Sequence, residues 1–169
     1  MDKLINDVLT YSLISRAEFQ NQPVPLGEVV SEVVEQYPQL QSPHAELEVA
    51  PLPSVLGHEP SLTQVISNLL TNAVKFVPDG VKPKVKVWAE VQGTSARIWI
   101  EDNGIGIEPE YQNKIFGLFE RIHPDQKYPG NGIGLSVVRK ALERMGGQVG
   151  VVSDGVNGSR FWIQMRAAA

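Results

Sequence analysis

Residues 101–135, EDNGIGIEPEYQNKIFGLFERIHPDQKYPGNGIGL, hold two glycine-rich clusters separated by a long polar segment. The first cluster, DNGIGI, ends a run of alternating apolar residues, and the second, GNGIGL, leads into an amphipathic stretch. Glycine at such places allows an unusual backbone turn or the close approach of another group. Two glycine clusters alone are a weak signal, so their meaning depends on the elements around them.

The composition restricts the class of protein. The 169 residues include no cysteine, which excludes disulfides, thiolate metal sites and thiol nucleophiles. Hydrophobic residues make up 42% and charged residues 20%, as in globular domains, and no apolar run approaches the roughly 20 residues that span a bilayer. A net charge of −4 argues against a domain that coats a nucleic acid backbone. A cytoplasmic location is favoured, and no nucleic acid partner is expected.

Hydrophobic periodicity predicts an alternation of helices and strand pairs. Helices are expected near the N-terminus, at 27–37, at 60–77 and after the second glycine cluster, with a short aromatic helix between the clusters. Strands are expected in AELEVA, PSVLGH, KPKVKVWAEVQ, TSARIWIEDN and, as a pair, in the C-terminal tail. This order predicts an α+β fold, a two-layer α/β sandwich whose mixed, mostly antiparallel sheet has its helices on one face. A Rossmann fold would need a glycine motif directly after the first strand of a βαβ unit. Here the glycine motifs come late and the flanking strands resemble hairpins, so a Rossmann fold is excluded.

The N-terminal segment predicts a helix with a narrow apolar stripe. Leu4, Val8, Tyr11 and Ser15 alternate at spacings of four and three, as in a coiled coil. Helices this short are marginal alone, so we expect it to continue a longer helix. The alternative is a frayed N-terminal arm.

The helix at 60–77 combines a wide apolar face with a polar edge of Gln64, Asn68, Asn72 and Lys75. Asparagine is unfavourable inside a helix because its side chain competes for backbone hydrogen bonds. An amide oxygen suits a hard cation such as Mg²⁺, and a lysine suits phosphate. The alternative is a polar edge that bridges to a neighbouring loop.

The two glycine clusters suggest complementary binding chemistry. Asp102, at a strand end beside Gly104 and Gly106, is placed to accept a hydrogen bond from a flat heterocycle such as adenine. The alternative is a simple Asp-Asn-Gly turn. The second cluster exposes backbone N–H groups at a helix N-terminus, where phosphate is favoured. The alternative there is a flexible loop with a glycine-softened helix start.

The ordered combination NLLTNAVKF, DNGIGI, KIFGLFERIH and GNGIGL resembles the ATP-binding catalytic domain of sensor histidine kinases, in which these boxes are called N, G1, F and G2. The final NGSRFWIQM is similar to the family's closing Gly-x-Gly-Ser-x-Phe strand, with Asn157 at the first glycine. The resemblance implies a Bergerat-type catalytic domain at 23–166, preceded at 1–20 by the end of the dimerisation and histidine-phosphotransfer hairpin.

The resemblance also implies ATP and Mg²⁺ as cofactors and assigns roles to individual residues. Asn72 would hold Mg²⁺ with support from Asn68, Lys75 would contact phosphate, and Asp102 would accept from the adenine amine. Phe116 and Phe119 would anchor the F-box helix, and Arg121 would reach the γ-phosphate. Asn68, Lys75 and Arg121 would thereby serve catalysis. The remaining nucleotide-binding positions would be Phe76, Gly104, Gly106, Ile107, Gly130, Asn131, Gly132, Ile133, Gly134 and Leu135. The glycines would be the hinges of a lid over ATP, roughly residues 119–131.

The expected activity is γ-phosphoryl transfer from Mg-ATP to a histidine. His44 and His58 lack the His-Glu-x-x-x-Pro context of the family's acceptor, so the chain resembles a catalytic fragment. The implied partners are a phosphoacceptor helix of the same or a partner protomer, a second copy in the full-length protein, and a response regulator receiver domain. A parent protein could be soluble or membrane-anchored.

Two alternatives remain open. The related gyrase and chaperone ATPases carry a glutamate where Asn68 stands, so a hydrolytic conformational switch is disfavoured. A degenerate module that docks a response regulator is the other alternative. In the second glycine box, Asn131 stands where the family more often has threonine or serine. No firm role is assigned to His123, Lys127 and Tyr128 on the lid.

Overall fold

The computed structural model describes residues 2–16, 19–118 and 132–168. Four α-helices lie in this part of the chain: α1 (Asp2–Arg16), α2 (Leu26–Gln36), α3 (Glu59–Lys75) and α4 (Gly134–Arg144). The strands are β1 (Gln22–Pro25), β2 (Glu46–Val49), β3 (Ser54–Gly57), β4 (Lys84–Gln92), β5 (Ser95–Asp102), β6 (Gln148–Val152) and β7 (Ser159–Arg166). Short 3-10 helices occupy Pro38–Leu40 and Pro109–Tyr111.

A five-stranded sheet in the order β2-β4-β5-β7-β6 is the frame of the domain. Its pairs are antiparallel except for the parallel edge pair β2-β4. Strands β1 and β3 form a separate antiparallel pair. The predicted two-layer α/β class with a mixed, mostly antiparallel sheet is confirmed. Gly93, with a φ of 60°, lies in the β4–β5 hairpin turn, as its position between two alternating runs predicted.

The core lies between the sheet and α3. Alternate residues of β5, Ala96, Ile98 and Ile100, point to the helical layer and are at most 1% exposed. They meet the wide apolar face of α3, which is buried at Leu62, Val65, Ile66, Leu69 and Leu70. The same helix also contacts α2 and α4. Because its apolar residues recur at helical spacing, α3 buries one face and leaves the Gln64–Lys75 edge at the margin of the core.

The other face of the sheet carries a row of three tryptophans. Trp88, Trp99 and Trp162 are direct neighbours on β4, β5 and β7. The first two rings stack with their centroids 6.1 Å apart. The guanidinium of Arg97 lies 4.0 Å from the Trp162 ring centroid and donates to Gln164 Oε1 at 2.7 Å. Stacking and cation–π contacts therefore cover this face without a third layer.

One local expectation, the apolar stripe of the N-terminal helix, was wrong. In α1, Val8 is 44% exposed, whereas Ile14, outside the predicted stripe, is buried and packs on the core with Leu4 and Tyr11. The contact of α1 with α4 selects this face, since the helix packs on its own domain. The predicted aromatic helix lies partly outside the described residues; up to residue 118, the 3-10 helix Pro109–Tyr111 is followed by turns.

None of the helices in the described ranges combines the length and apolar character needed to cross a membrane.

Gly150→Ala should destabilise the domain by about 1–3 kcal/mol, the usual cost of overpacking. Gly150 faces Trp162 in the register, and a Cβ there would collide with the indole ring. Gly27→Ala is the matched control, because nothing lies within 4 Å of its added Cβ. Since alanine is the better helix former, the control should leave the free energy of unfolding unchanged or raise it by up to about 1 kcal/mol. Urea denaturation followed by circular dichroism measures both; equal effects would contradict the packing argument.

Candidate functional site

The polar edge of α3 connects that helix to the start of α4. Gln64 Nε2 donates to Asn68 Oδ1 at 3.1 Å, and Asn68 Nδ2 donates to the Gly134 carbonyl at 3.0 Å. Both ends of the Asn68 amide are therefore occupied. Asn72, one turn further on, is half-buried, and its side chain makes no hydrogen bond with a described residue. Asn68 thus holds two helices together, while the Asn72 amide oxygen remains available to a ligand.

The C-terminus of α3 meets the first glycine loop, residues 102–107. The helix ends at its C-cap, Phe76, whose carbonyl accepts a hydrogen bond from the Ile105 N–H at 2.9 Å. Lys75 Nζ lies 4.9 Å from the centroid of the Phe76 ring, within cation–π range. Four predicted positions, Asn68, Asn72, Lys75 and Phe76, therefore line one seam between α3 and the loops.

Two glycines of this loop are required for different reasons. Gly104 is buried, and a Cβ there would collide with the Phe76 carbonyl oxygen. Gly106 has a φ of 80°, and an added Cβ would also lie 2.7 Å from the backbone of Gly155. The sequence cluster DNGIGI therefore marks close backbone approach at one glycine and left-handed backbone at the other.

Asp102 ends β5 at the base of this loop. Its Oδ1 accepts the Gly104 N–H at 2.9 Å, and the Ser159 N–H is a second donor. Burial is the main reason why the pKa of Asp102 is raised to about 6; the two backbone hydrogen bonds oppose it, and the nearby Glu101 adds to it. Among the described residues, Asp102 forms no ion pair. A half-buried carboxylate with a raised pKa is a candidate functional group.

The second glycine loop, residues 130–135, is described from Gly132 onwards. Gly132 has a φ of 74°, and α4 begins at Gly134. The N-cap residue of α4 is Ile133, whose fully buried side chain has no acceptor for the first N–H groups of the helix. Leu135 is half-buried and packs on the core. The first N–H groups of α4, beside the Asn68 tether, therefore have no side-chain cap from the N-cap residue.

Several predicted residues lie outside the described part of the chain: Phe119, Arg121, Gly130, Asn131 and the lid residues His123, Lys127 and Tyr128. Phe116, which precedes them, is buried and meets Phe161 edge-on with ring centroids 6.3 Å apart. This contact anchors the described end of the F box to β7.

The sequence did not reveal three polar side chains that hold the first glycine loop. The Asn103 amide accepts the Lys84 N–H at 2.8 Å and donates to the Lys82 carbonyl at 3.0 Å. Ser153 and Gln112 bond to Ile107 from the opposite side. The Asn103 and Ser153 bonds join segments 19 to 46 residues apart, and the Gln112 bond to Ile107 spans five residues without a recognised turn motif, so no local pattern predicts them.

The described residues include no group of three or more histidine or acidic side chains that would hold a metal ion by themselves. Asn72 fits Mg²⁺ in a different way: it offers one neutral amide oxygen that no described group occupies. Mg²⁺ commonly keeps several waters and takes its other ligands from substrate phosphates. The donor set suits a cation that arrives with a phosphorylated ligand.

Comparison with known proteins agrees with this geometry. Residues 57–169 match the family described as histidine kinase-, DNA gyrase B-, and HSP90-like ATPase. Phytochrome-like protein Cph1 of Synechocystis sp. is 34% identical over 166 residues, 98% of this chain and 22% of that protein. The chain spans about a fifth of the length of the first curated relatives.

Two solved structures share the fold of this chain. Full-length ShkA in complex with AMPPNP matches with a TM-score of 0.80 and 31% identity, covering 99% of this chain and 36% of that chain. The mycobacterial sensor histidine kinase MprB matches with a TM-score of 0.74 and 27% identity, covering 88% of this chain and 98% of that chain.

Asp102→Asn should stabilise the free protein relative to wild type increasingly as the pH rises from 4 to 7. The folded state holds the Asp102 proton more tightly than the unfolded state between the unfolded pKa of 3.8 and the folded pKa of about 6. Wild-type stability therefore falls through this window, by up to about 3 kcal/mol, because each pKa unit corresponds to about 1.4 kcal/mol. Asparagine does not titrate, so the Asp102→Asn variant does not lose folding stability in this pH window. Urea denaturation at several pH values measures the difference.

Asp154→Asn is the control. Hydrogen bonds from the backbone N–H groups of Asn157 and Val156 lower the pKa of this exposed carboxyl to about 2. Its stabilising effect is present above the unfolded pKa and is lost only as the pH falls towards 2. The stability difference for this variant should be constant between pH 5 and 7. A constant difference for Asp102→Asn as well would show that Asp102 is not desolvated.

Proposed function

The chain belongs to the histidine kinase-, DNA gyrase B- and HSP90-like ATPase family, and we propose that it is the ATP-binding kinase domain of a two-component sensor histidine kinase. In this proposal it transfers the γ-phosphoryl group of Mg-ATP to a histidine on a helix that this chain does not supply. The relatives are sensor kinases, and the fold, glycine loops and polar α3 edge agree with that role.

Asp102 is the observation that carries the proposal. A desolvated carboxylate without an ion-pair partner among the described residues needs a strong hydrogen-bond donor. The exocyclic amine of adenine is such a donor. Gly104 and Gly106 let the loop pack closely on Phe76 and Gly155, which fixes the backbone beside this carboxylate. AMPPNP, bound in the related ShkA, also carries adenine.

The phosphates would lie between α3 and the start of α4. The uncapped N–H groups at Gly134 and the following residues favour a negatively charged group, as does the helix dipole. Lys75 and Asn72 lie on the facing edge of α3, where Lys75 would contact phosphate and Asn72 would ligate Mg²⁺. When bound with ATP, Mg²⁺ would neutralise charge on the phosphate oxygens.

The arrangement favours transfer over hydrolysis. At the position where the related ATPases carry glutamate, this chain has Asn68, which cannot take a proton from water. Its amide is also occupied by Gln64 and Gly134. Catalysis would then come from positioning the γ-phosphate against an acceptor histidine and from stabilising charge. Arg121 is proposed to contribute to that stabilisation.

The cellular setting is proposed from the same relatives. The 1–20 helix would continue a dimerisation hairpin that carries the acceptor, in a homodimer of the longer parent protein. The phosphoryl group would pass to a response regulator receiver domain in the cytoplasm. A docking module without chemistry is the competing function, and it predicts no nucleotide binding.

Mg-ATP should bind at least tenfold more tightly than Mg-GTP, a difference of about 1.4 kcal/mol. Guanine presents a carbonyl oxygen where adenine has its amine, so Asp102 would face an acceptor and lose its hydrogen bond. Asp102→Asn, whose amide can donate, should narrow the gap, and Glu32→Gln, at an exposed carboxyl of α2, should leave it unchanged. Isothermal titration calorimetry measures all three. Equal affinities for the two nucleotides in the wild type would remove Asp102 from the base pocket.

The chain alone should bind Mg-ATP without becoming phosphorylated. Adding a helical hairpin with the acceptor histidine, as a separate chain from the parent protein, should permit slow transfer, because proximity is lost. Asn72→Ala should abolish this transfer, whereas Gln36→Ala, an exposed amide on α2, should not change it. Labelling with radioactive ATP, followed by acid and base treatment of the labelled protein, identifies phosphohistidine. Acid-labile label on the chain alone would instead identify His44, His58 or His123 as an acceptor.

A further inference from the structure

The first glycine loop is held on the side away from α3 by two polar side chains that no nucleotide box contains. Ser153 follows β6, at the start of the 153–158 turn that leads to β7. Gln112 follows the 3-10 helix Pro109–Tyr111. Both contact the backbone of Ile107, the last residue of the loop.

The Ser153 hydroxyl uses its whole hydrogen-bonding capacity. It accepts the Ile107 N–H at 2.9 Å and the Gly155 N–H at 3.1 Å, and it donates to the Gly158 carbonyl at 2.7 Å. A hydroxyl has one proton and two acceptor lone pairs, so no further partner is possible. One side chain therefore fixes both ends of the 153–158 turn and attaches that turn to the glycine loop.

Gln112 repeats this attachment from a third segment. Its Nε2 donates to the Ile107 carbonyl at 3.0 Å and to the Ser153 carbonyl at 2.8 Å. Both amide protons are used, and they bridge the same two segments that the Ser153 hydroxyl bridges. The backbone N–H and C=O of Ile107 are thus both held by side chains.

Close backbone packing makes the two segments a single unit. An added Cβ at Gly106 would lie 2.7 Å from the Gly155 backbone, and one at Gly158 would collide with the Asp102 carbonyl oxygen. Gly158 also precedes Ser159, which pairs with Asp102 in the register of β5 and β7. A shift of the 153–158 turn would therefore move the backbone on both sides of the Asp102 carboxylate.

We propose that Ser153 and Gln112 are positioning residues for the base-binding site, which set the distance between the Asp102 carboxylate and a bound purine. This inference rests on the proposed function, since it assigns the pocket of the first glycine loop to adenine. The two residues do not touch the base in this account. They act through Ile107 and the 153–158 turn.

Base selectivity is the readout that separates positioning from general stability. Partial unfolding weakens Mg-ATP and Mg-GTP binding by the same factor, whereas a displaced carboxylate weakens only the contact that distinguishes adenine. Ser153→Ala and Gln112→Ala should each lower Mg-ATP affinity about fivefold to tenfold, which is the change expected when the hydrogen bond between Asp102 and adenine is lost. Mg-GTP affinity should change by less than twofold, so the ratio of the two Kd values narrows.

The chain provides matched controls. Gln41 Nε2 donates to two backbone carbonyls, of Val34 at 2.7 Å and Glu35 at 3.3 Å, in the connection between α2 and β2. Gln41→Ala therefore repeats the chemical change of Gln112→Ala away from the site. Ser153→Thr keeps the hydroxyl and should keep the selectivity of the wild type. Thermal unfolding of every variant confirms that binding is compared between folded proteins.

The outcomes distinguish this inference from the proposed function. If wild-type protein fails to prefer Mg-ATP, or if Asp102→Asn leaves the preference intact, the proposed function fails first. If Asp102→Asn narrows the preference while folded Ser153→Ala and Gln112→Ala retain it within twofold, the inference is wrong and both residues only stabilise the turn. Loss of selectivity in Gln41→Ala or Ser153→Thr would also overturn it. Should Ser153→Ala not fold, Gln112→Ala decides the question by the same ratio.

Discussion

The contact of the α3 C-terminus with the first glycine loop is the constraint on which the site depends. The Phe76 carbonyl oxygen accepts the Ile105 N–H. The same oxygen lies so close to position 104 that a Cβ there would collide with it, so only glycine fits. Because α3 is fixed on the sheet by its apolar face, this contact places its polar edge beside the end of β5. The Asn68 tether then positions α4 against the same helix. Three elements that are distant in sequence thereby meet along the polar edge of α3.

The Asp102 carboxylate destabilises the free protein when it is charged, but it offers a hydrogen-bond acceptor to a ligand. The Asp102 carboxylate is desolvated, and its raised pKa shows that the folded protein disfavours the charged form. A ligand that donates to this oxygen would relieve this destabilisation, so part of the binding free energy would come from removing an existing penalty. The surrounding hydrogen bonds from Asn103, Ser153 and Gln112 keep the loop in place while the penalty persists.

Most of the frame could be predicted because its signals are local. The α3 face follows from apolar spacing, and the β4–β5 hairpin follows from alternation around Gly93. The glycines of DNGIGI announced a special backbone. Local signals failed where a tertiary contact decides: α1 packs through Ile14 because α4 lies beside it. Ser153 and Gln112 form hydrogen bonds with the backbone of Ile107, which is 46 and 5 residues away. A serine or a glutamine in a sequence does not indicate which backbone group it will bind.

The position of the three tryptophans keeps indole emission separate from the signal of a fluorescent nucleotide. The chain has three tryptophans, and all of them lie on the sheet face opposite the helical layer. Indole emission will therefore report the integrity of β4, β5 and β7 and will respond little to a ligand between α3 and α4. A fluorescent nucleotide would give the complementary signal, with the body of the sheet between the two groups. The protein is thus suited to measuring folding and occupancy independently in one sample.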